Sequence, residues 1–187
     1  NGSAKRPATV AARVAQATVI AAFTHSGSTS YSLSDTAGNL AAALASVGNG
    51  AINIAATGTA SVVQATVIDA FTNSGSTSYS LSDTAANLAA ASTSVGNGAN
   101  NIIATDAATV AQAAVIDAFT NSGNNSYSLS DTAAHLAAAS AAVGNGATNI
   151  TATDAATVAQ ATTIEAFTNS GSTSYSLADT AAELAAA

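Results

Sequence analysis

The chain repeats one stretch almost letter for letter: Tyr79-Ser80-Leu81-Ser82-Asp83-Thr84-Ala85-Ala86-Asn87-Leu88-Ala89-Ala90. Its tyrosine stands at positions 31, 79, 127 and 175, so successive copies lie 48 residues apart in a chain of 187. A fixed period of this length is typical of solenoids, in which each repeat packs only on its neighbours. Residues that lie 48 positions apart are called equivalent positions below.

Composition narrows the class of protein. The chain has no cysteine, which excludes disulfides and thiolate metal sites. Its three basic residues, Lys5, Arg6 and Arg13, lie within the first 13 positions, and ten acidic residues bring the net charge to −7. Nucleic acid is not an expected partner, because phosphate binding needs cations along the contact surface. No apolar run approaches the roughly 18 residues of a membrane span. Low charge with abundant Ser, Thr and Asn indicates an exported protein.

Each period is interpreted as two strand–helix coils, called units below. In one unit, Ser78 to Ser82 alternates polar and apolar residues as a strand does, and an alanine-rich helix is predicted from Asp83 to Val95. In the next unit, Asn101 to Thr105 predicts a strand, and Ala107 to Phe119 predicts a helix. The glycines of the segment 96–98 are expected to end the first helix in a left-handed conformation.

An aspartate precedes each predicted helix. A carboxylate at the N-cap accepts the free amide hydrogens of the first turn, so these aspartates are predicted to be N-caps. They are Asp35, Asp83, Asp106, Asp131, Asp154 and Asp179. The alternative is a calcium ladder. Capping explains every aspartate without a metal, and Gly58 replaces the aspartate in the first copy.

The predicted fold class is α/β. We expect a curved solenoid of 48-residue repeats, each with two strand–helix coils, with a parallel sheet on one side and helices on the other. Parallel strands lie about 4.8 Å apart and packed helices about 8–10 Å apart, which places the sheet on the concave side. An all-α solenoid is the alternative, because short strands beside alanine runs are easily misassigned. Residues 1–7 match no repeat and form a predicted N-terminal arm, and residues 8–187 form a single solenoid of nearly four repeats.

Glutamine occupies one equivalent position in every copy: Gln16, Gln64, Gln112 and Gln160. Gln112 falls among Val115, Ile116 and Phe119 on one helix face, so its amide needs a partner on the backbone or on the next copy. We predict that the four glutamines form a buried structural ladder. Val110 and its equivalents lie off that face. Either the helix begins later than Ala107, or a valine stripe faces a partner.

No catalytic, cofactor-binding or metal site is predicted. The sequence contains no recognisable pair of nucleophile and base, and no cofactor is expected. His25 and His135 stand at positions that hold asparagine or glutamate in other copies, which indicates exposed sites without a catalytic or metal role. Nothing cationic follows Gly48-Asn49-Gly50 and its copies, so these loops are not phosphate cradles. The chain is therefore not expected to be an enzyme.

Small polar side chains are expected on the sheet face that points away from the helices. They are Ser30, Ser32 and Ser34 in one unit, Asn53, Ala55 and Thr57 in the next, and Asn149, Thr151 and Thr153 in a later copy. A regular, uncharged field of hydroxyl groups suits ice, polysaccharide or another identical sheet. A plainly solvated face is the alternative.

The segment Ser82-Asp83-Thr84-Ala85-Ala86-Asn87-Leu88-Ala89-Ala90 resembles tandem repeats of very large bacterial secreted or cell-surface proteins. Copies at 34–42, 130–138 and 178–186 depart from it at Gly38, at His135, and at Ala178 and Glu183. The resemblance covers one segment per repeat. It implies an extracellular array with an adhesive or structural role, and it assigns no functional residue.

We expect a non-catalytic, self-assembling structural module of an extracellular bacterial filament or surface protein. Solenoids that exist alone need polar capping repeats, but here the first copy is more apolar than the others, with Ala21, Leu44 and Ile52. Its expected partner is therefore itself, through head-to-tail or lateral contacts. The alternative is a binding module whose Ser/Thr-rich sheet engages ice or polysaccharide.

The predicted arm is expected to contribute to assembly. Two of the three cations, Lys5 and Arg6, lie in it, whereas the rest of the chain is acidic. We expect these cations to meet carboxylates near the far end of a neighbouring copy. The expected partners are Glu165, Asp179 and Glu183.

Overall fold

The chain folds as an α/β protein with parallel strands. A computed structural model describes residues 11–22 and 30–187. Its strands are β1 (Leu33–Thr36), β2 (Ile54–Ala60), β3 (Thr77–Asp83), β4 (Ala99–Ala104), β5 (Asn125–Ser126), β6 (Leu129–Asp131), β7 (Ile150–Ala156) and β8 (Thr173–Leu177). They form two sheets, in the orders β1-β2-β3-β4-β5 and β6-β7-β8, and all pairs are parallel. The α/β prediction is confirmed, and the all-α alternative is wrong.

Helices fill the connections between paired strands, because a chain must cross back before it can add a parallel strand. They are α1 (Val14–Ala22), α2 (Ala37–Ala41), α3 (Ala45–Asn49), α4 (Val62–Asp69), α5 (Ala85–Ala89), α6 (Thr93–Gly98), α7 (Val110–Asp117), α8 (Ala133–Ala137), α9 (Ala141–Gly146), α10 (Val158–Glu165) and α11 (Ala181–Ala186). Within the described part of the chain, none of them has the length and hydrophobicity needed to cross a membrane.

The alanine-rich run after Asp83 forms two short helices instead of the single helix predicted to Val95. α5 ends at Ala89, and α6 begins at Thr93. Between them, Ser92 has extended backbone angles of φ −64° and ψ 152°, and its hydroxyl accepts the amide of Val95. The same break occurs between α2 and α3, where Leu44 has extended angles and no side-chain cap bond, so the Ser92 hydroxyl stabilises the new helix start without being required for it.

The second kind of helix begins later than predicted. α7 starts at Val110 and not at Ala107, because Thr109 is its N-cap. Val62 and Val158 are likewise the first residues of α4 and α10. Val14, Val62 and Val110 are partly buried against the hydrophobic core, so they do not form an exposed valine stripe.

Strands β1 and β3 bury every second side chain, whereas β2, β4 and β7 bury residues at wider intervals. Tyr79 and Leu81 of β3 are almost fully buried, whereas Ser80 between them is partly exposed. Leu81 pairs with Ile102 of β4, and one hydrophobic cluster extends from Ala12 to Ile164. Burying a leucine or isoleucine side chain stabilises a fold by about 1.5–3 kcal/mol. These side chains, with alanines between them, supply the core.

The glycines at 96 and 98 make room for aromatic rings. The Phe119 ring lies so close to Gly96 that a Cβ there would overlap it, and a Cβ at Gly98 would lie 2.7 Å from the Tyr79 hydroxyl oxygen. Equivalent rings lie against Gly48 and Gly144. Among the described residues, positive φ occurs only at Gly58, at 83°. The predicted left-handed helix stop is therefore wrong, because close approach is what requires glycine here.

We expect Gly96→Ala to lower the free energy of unfolding by about 1–3 kcal/mol, since the added methyl group overlaps the Phe119 ring. Gly38→Ala is the control. Its Cβ would lie 3.6 Å from the Gln64 Nε2 atom, an ordinary contact, and it should raise stability by up to about 1 kcal/mol through helix propensity. Urea unfolding measures both changes. Equal effects of the two substitutions would refute the packing role of Gly96.

Candidate functional site

The aspartates at the strand ends join neighbouring units. Asp83 ends β3, and its Oδ2 atom accepts the amide of Val62, the first residue of the preceding helix α4, at 2.9 Å. Its Oδ1 atom accepts the Thr84 amide and the Asn87 side-chain amide, both at 2.8 Å. One carboxylate thus binds the start of its own helix and the start of the helix one unit earlier.

The prediction that these aspartates are N-caps is wrong. The N-caps after β1, β3, β6 and β8 are threonines, whose hydroxyls accept the amide three residues ahead: Thr36, Thr84, Thr132 and Thr180. The helices after Asp106 and Asp154 have Thr109 and Thr157 as N-caps. All six aspartates accept the first amide of a helix that starts 21 residues earlier: Asp35, Asp83, Asp106, Asp131, Asp154 and Asp179. The sequence could not reveal this, because the bond crosses between units.

These bonds change the acidity of the carboxyl groups. Partial burial raises the pKa of Asp83, but the Asn87, Val62 and Thr84 amides outweigh it, and the net pKa lies below the ordinary value. The pKa of Asp35 is also lowered, first by the Asn39 amide. Among residues 11–22 and 30–187, no three His, Asp or Glu side chains come together as a possible metal site. The aspartates act as acceptors of amide hydrogens.

The glutamines form capping boxes instead of a buried ladder. The Gln64 amide nitrogen of the backbone donates to the Ser61 hydroxyl at 3.2 Å, and the Gln64 Oε1 atom accepts the Ser61 backbone amide at 3.0 Å. Gln112 and Gln160 form the same box with Thr109 and Thr157. These three side chains are half-buried, and Gln16 is exposed. A Ser or Thr three residues before Gln is a capping-box signal that sequence reasoning missed.

Much of the polar sheet face is engaged in internal bonds. The Ser32 hydroxyl accepts the Asn53 backbone amide at 3.3 Å, and the Asn53 Oδ1 atom accepts the Ser76 amide of the following unit at 2.9 Å. The same chain of bonds recurs at Ser80, Asn101 and Asn124, and at Ser128, Asn149 and Ser172. The side chains of Thr57, Thr151 and Thr153 are exposed to solvent, as predicted. The exposed Ile103 side chain interrupts the polar face.

The side chains of Tyr127 and His135 also form contacts within the chain. The buried Tyr127 hydroxyl donates to the Val143 carbonyl at 3.1 Å, and burial together with Asp117 raises the pKa of Tyr127 to about 12. A phenol with that pKa is a poor proton carrier near neutral pH. The His135 Nδ1 atom lies 2.8 Å from the Asp131 Oδ1 atom, where Asn87 places an amide in the previous copy. His25 lies outside the described residues.

The last unit exposes residues that are buried elsewhere. Leu177 and Leu184 are 45% and 42% exposed, whereas the equivalent Leu129 and Leu136 are 1% and 0% exposed. Tyr175 is also more exposed than Tyr127. We call Tyr175, Leu177 and Leu184 the terminal surface.

The predicted assembly residues lie at different places. Glu165 is exposed, and its carboxylate beside the Tyr175 hydroxyl raises the pKa of that phenol. Asp179 binds the Val158 and Thr180 amides, and Glu183 is exposed at the start of α11. Glu165 therefore lies beside Tyr175 of the terminal surface, whereas Asp179 and Glu183 are close to Leu177 and Leu184 in sequence. The predicted arm, with Lys5 and Arg6, lies outside the described residues.

Neither a protein-family model, a curated protein nor a solved structure matches this chain.

We expect Asp83→Asn to destabilise the chain by about 1–3 kcal/mol, because an amide in place of the carboxylate cannot accept all three hydrogen bonds equally well. Asp117→Asn is the matched control on an exposed side chain, with an expected change within about 0.5 kcal/mol. Urea unfolding at neutral pH measures the difference. A neutral result for Asp83→Asn would contradict the joining role of the carboxylate.

Stability should fall in acid. The pKa values of Asp35, Asp83 and Asp131 are lower in the folded chain, so the unfolded chain binds more protons in this range. Their contribution is fully present above the unfolded pKa of about 4 and is lost as the pH falls through the lower folded values. We expect a constant melting temperature from pH 7 to 5 and a drop below pH 4. Asp83→Asn should show a smaller drop, and an unchanged drop would count against this explanation.

Proposed function

We propose that residues 8–187 form a curved solenoid of 48-residue repeats, each with two strand–helix units, with the parallel sheet on one side and the helices on the other. Bonds that recur at separations of 21 and 23 residues support it: Val62 to Asp83 and Ser76 to Asn53 are examples. The order of strands within each sheet also follows the chain. Such an arrangement extends by adding units at its ends.

We infer that the module is structural and self-assembling, without catalysis. The observation that carries this proposal is the bonding between neighbouring units, because the Val62 amide donates to Asp83 and the Ser76 amide donates to Asn53. Units that bind one another in one repeated register favour head-to-tail contacts that do not close into a ring. The recurring polar residues add support, because Asp83, Gln64 and Asn53 are all engaged in bonds that build the units.

An extracellular bacterial filament or surface protein is the setting we propose. The resemblance of residues 82–90 to tandem repeats of bacterial secreted and cell-surface proteins supports it, as do the absent cysteine and the scarcity of lysine and arginine. Proteins with few lysines and arginines offer few sites to trypsin-like proteases, which suits exposure outside a cell.

Binding of ice or polysaccharide by the sheet face is the second candidate. The exposed hydroxyl groups of Thr57, Thr151 and Thr153 favour it. Two observations weigh against it. Ser32, Ser80 and Ser128 accept backbone amides and are less available to a ligand, and pairing of β2 with β3 shifts register between Ala55 and Thr59, which breaks the regular spacing.

Assembly predicts long particles that grow with protein concentration. We expect negative-stain electron microscopy and light scattering of the purified chain to show them above a critical concentration. Thermal hysteresis with faceted ice crystals and no such particles would favour the second candidate. A chain that stays monomeric at every accessible concentration would overturn the proposed function.

A further inference from the structure

We propose that Asn124 is an acceptor site for an N-linked sugar, and that Asn149, which has the same local sequence pattern, is not. Asn124-Asn125-Ser126 and Asn149-Ile150-Thr151 both match Asn-x-Ser/Thr, in which x is any residue except proline. This pattern marks asparagines that receive a sugar on the side-chain amide nitrogen when they lie on an accessible surface. The proposal adds a modification site to the structural module and does not rest on assembly.

The Asn124 side chain is exposed and makes no hydrogen bond to another residue in the part of the chain that the structure describes. Its backbone is held, because its amide donates to the Asn101 Oδ1 atom at 3.0 Å and its carbonyl accepts the Ile102 amide at 3.0 Å. Ser126 is also exposed, and its hydroxyl has no partner among the described residues. The segment is therefore fixed through its backbone, while the side-chain amide and the hydroxyl stay open to solvent.

Strand geometry presents these two groups together. Asn124 directly precedes β5, and successive side chains along a strand point to opposite sides of the sheet. Exposure follows this alternation, since Asn125 lies partly buried between two exposed neighbours, and its Nδ2 atom donates to the Ile116 carbonyl at 2.8 Å. Asn125 thus anchors the segment from the inner side. The acceptor amide and the hydroxyl that complete the pattern lie on the same outer side.

The Asn149 side chain, in contrast, is bonded within the fold. Its Nδ2 atom donates to the Ser128 hydroxyl oxygen at 3.3 Å. Its Oδ1 atom accepts the Ser172 backbone amide at 3.0 Å and the Ser172 hydroxyl at 3.1 Å. A sugar on this nitrogen would have to displace Ser128 and disturb a contact between neighbouring units. The fold therefore protects Asn149 from modification.

The equivalent positions show that the pattern at Asn149 is incidental. Asn149 repeats Asn53 and Asn101, whose Oδ1 atoms also accept a backbone amide of the following unit. These asparagines are followed two positions later by Ala55 and Ile103, which do not complete the pattern. An asparagine is thus kept at this position whether or not a hydroxyl residue follows, because the bond between units requires it.

Asn124 instead replaces a serine that has a structural bond in other copies. Ser76 and Ser172 are the equivalent residues, and their hydroxyls donate to the Oδ1 atom of an asparagine in the preceding unit at 3.1 Å. The Asn124 side chain does not make this bond. Asn125 beside it replaces a threonine, and its Oδ1 atom is buried without a partner among the described residues. Contacts between units do not explain asparagine at position 124, whereas an acceptor role does.

The reaction at this site is the transfer of a sugar from an activated donor. The Asn124 amide nitrogen forms a bond to the anomeric carbon of a nucleoside-diphosphate hexose, and the bond between that carbon and the diphosphate oxygen breaks. The nitrogen gives one proton to a base of the transferring enzyme, and the nucleoside diphosphate leaves. No group is oxidised or reduced. The chain supplies the acceptor, and a glycosyltransferase is the partner that supplies the catalysis.

A soluble N-glycosyltransferase with UDP-glucose tests the proposal on the folded chain. All variants carry Ser3→Ala, which removes the further match Asn1-Gly2-Ser3 in the part of the sequence outside the described residues. We expect mass spectrometry to show one added hexose and to locate it on Asn124. Ser126→Ala should abolish the addition, whereas Thr151→Ala is the matched control and should leave it unchanged. Both side chains are exposed, so circular dichroism should show the same fold for each variant.

Peptides that span residues 119–130 and 144–155 control for the sequence preference of the enzyme. The transferase is chosen because it modifies both peptides, so that selection of one site in the folded chain reflects the structure. A folded chain that takes no hexose at Asn124 would overturn the proposal. Addition at Asn149 as fast as at Asn124 would overturn it as well, because the bonds of Asn149 would then give no protection.

A second variant tests whether asparagine at position 124 has a structural role of its own. Asn124→Ser restores the residue of the other copies and should regain the hydroxyl bond to Asn101 that Ser76 makes to Asn53. We expect a higher melting temperature together with loss of the added hexose. A lower melting temperature would show that Asn124 stabilises the fold, and would count against its assignment as an acceptor.

Discussion

The bond from the first amide of a helix to an aspartate in the following unit is the interaction on which the structure depends. A helix start leaves several backbone amides without partners. Here the N-cap hydroxyl of Ser61 accepts one, Gln64 binds the N-cap amide, and the carboxylate of Asp83 accepts the amide of Val62. The first two bonds are local, but the third requires the next unit. Since Leu81 is also buried only between two strands, a single unit can satisfy neither its backbone nor its apolar face, and its stability is inseparable from that of its neighbours.

The sequence predicted the parts of the fold that follow from local pattern. Alternation around Tyr79 and Leu81 identified a strand, and the regular tyrosine spacing identified the repetition. The sequence-based predictions were wrong where a residue contacts a residue of another unit. Aspartate is a residue type preferred at N-caps, but the N-cap here is Thr84. The Asp83 carboxylate accepts the backbone amide of Val62 in the preceding unit. Gly96 stands where a helix-ending glycine is expected, but glycine is required there because the Phe119 ring of the following unit packs against it. Neither contact has a signature within a few residues of sequence.

The candidate functional surfaces were predicted unevenly for the same reason. Exposed hydroxyls at Thr151 and Thr153 follow directly from strand alternation. Internal bonding of Ser128 and Asn149 does not, because it depends on which residue lies beside them in the neighbouring strand. The terminal surface is a further case. Leu177 is chemically identical to Leu129, and only the presence or absence of a covering unit makes one exposed and the other buried.

Comparison of equivalent positions in the four copies shows which kinds of residue are kept, and this bears on function. Positions that bond or pack across units keep their residue, as with the phenylalanine at 119, the aspartate at 83 and the asparagine at 97. Some exposed positions vary, as in the series Val63, Ala111 and Ala159 on the helix face. A repeated ligand site would instead keep an exposed residue, and the threonine at positions 57, 105 and 153 does so. Contact between units accounts for the recurring phenylalanine, aspartate and asparagine and favours assembly, while this threonine is the recurring residue that favours ligand binding.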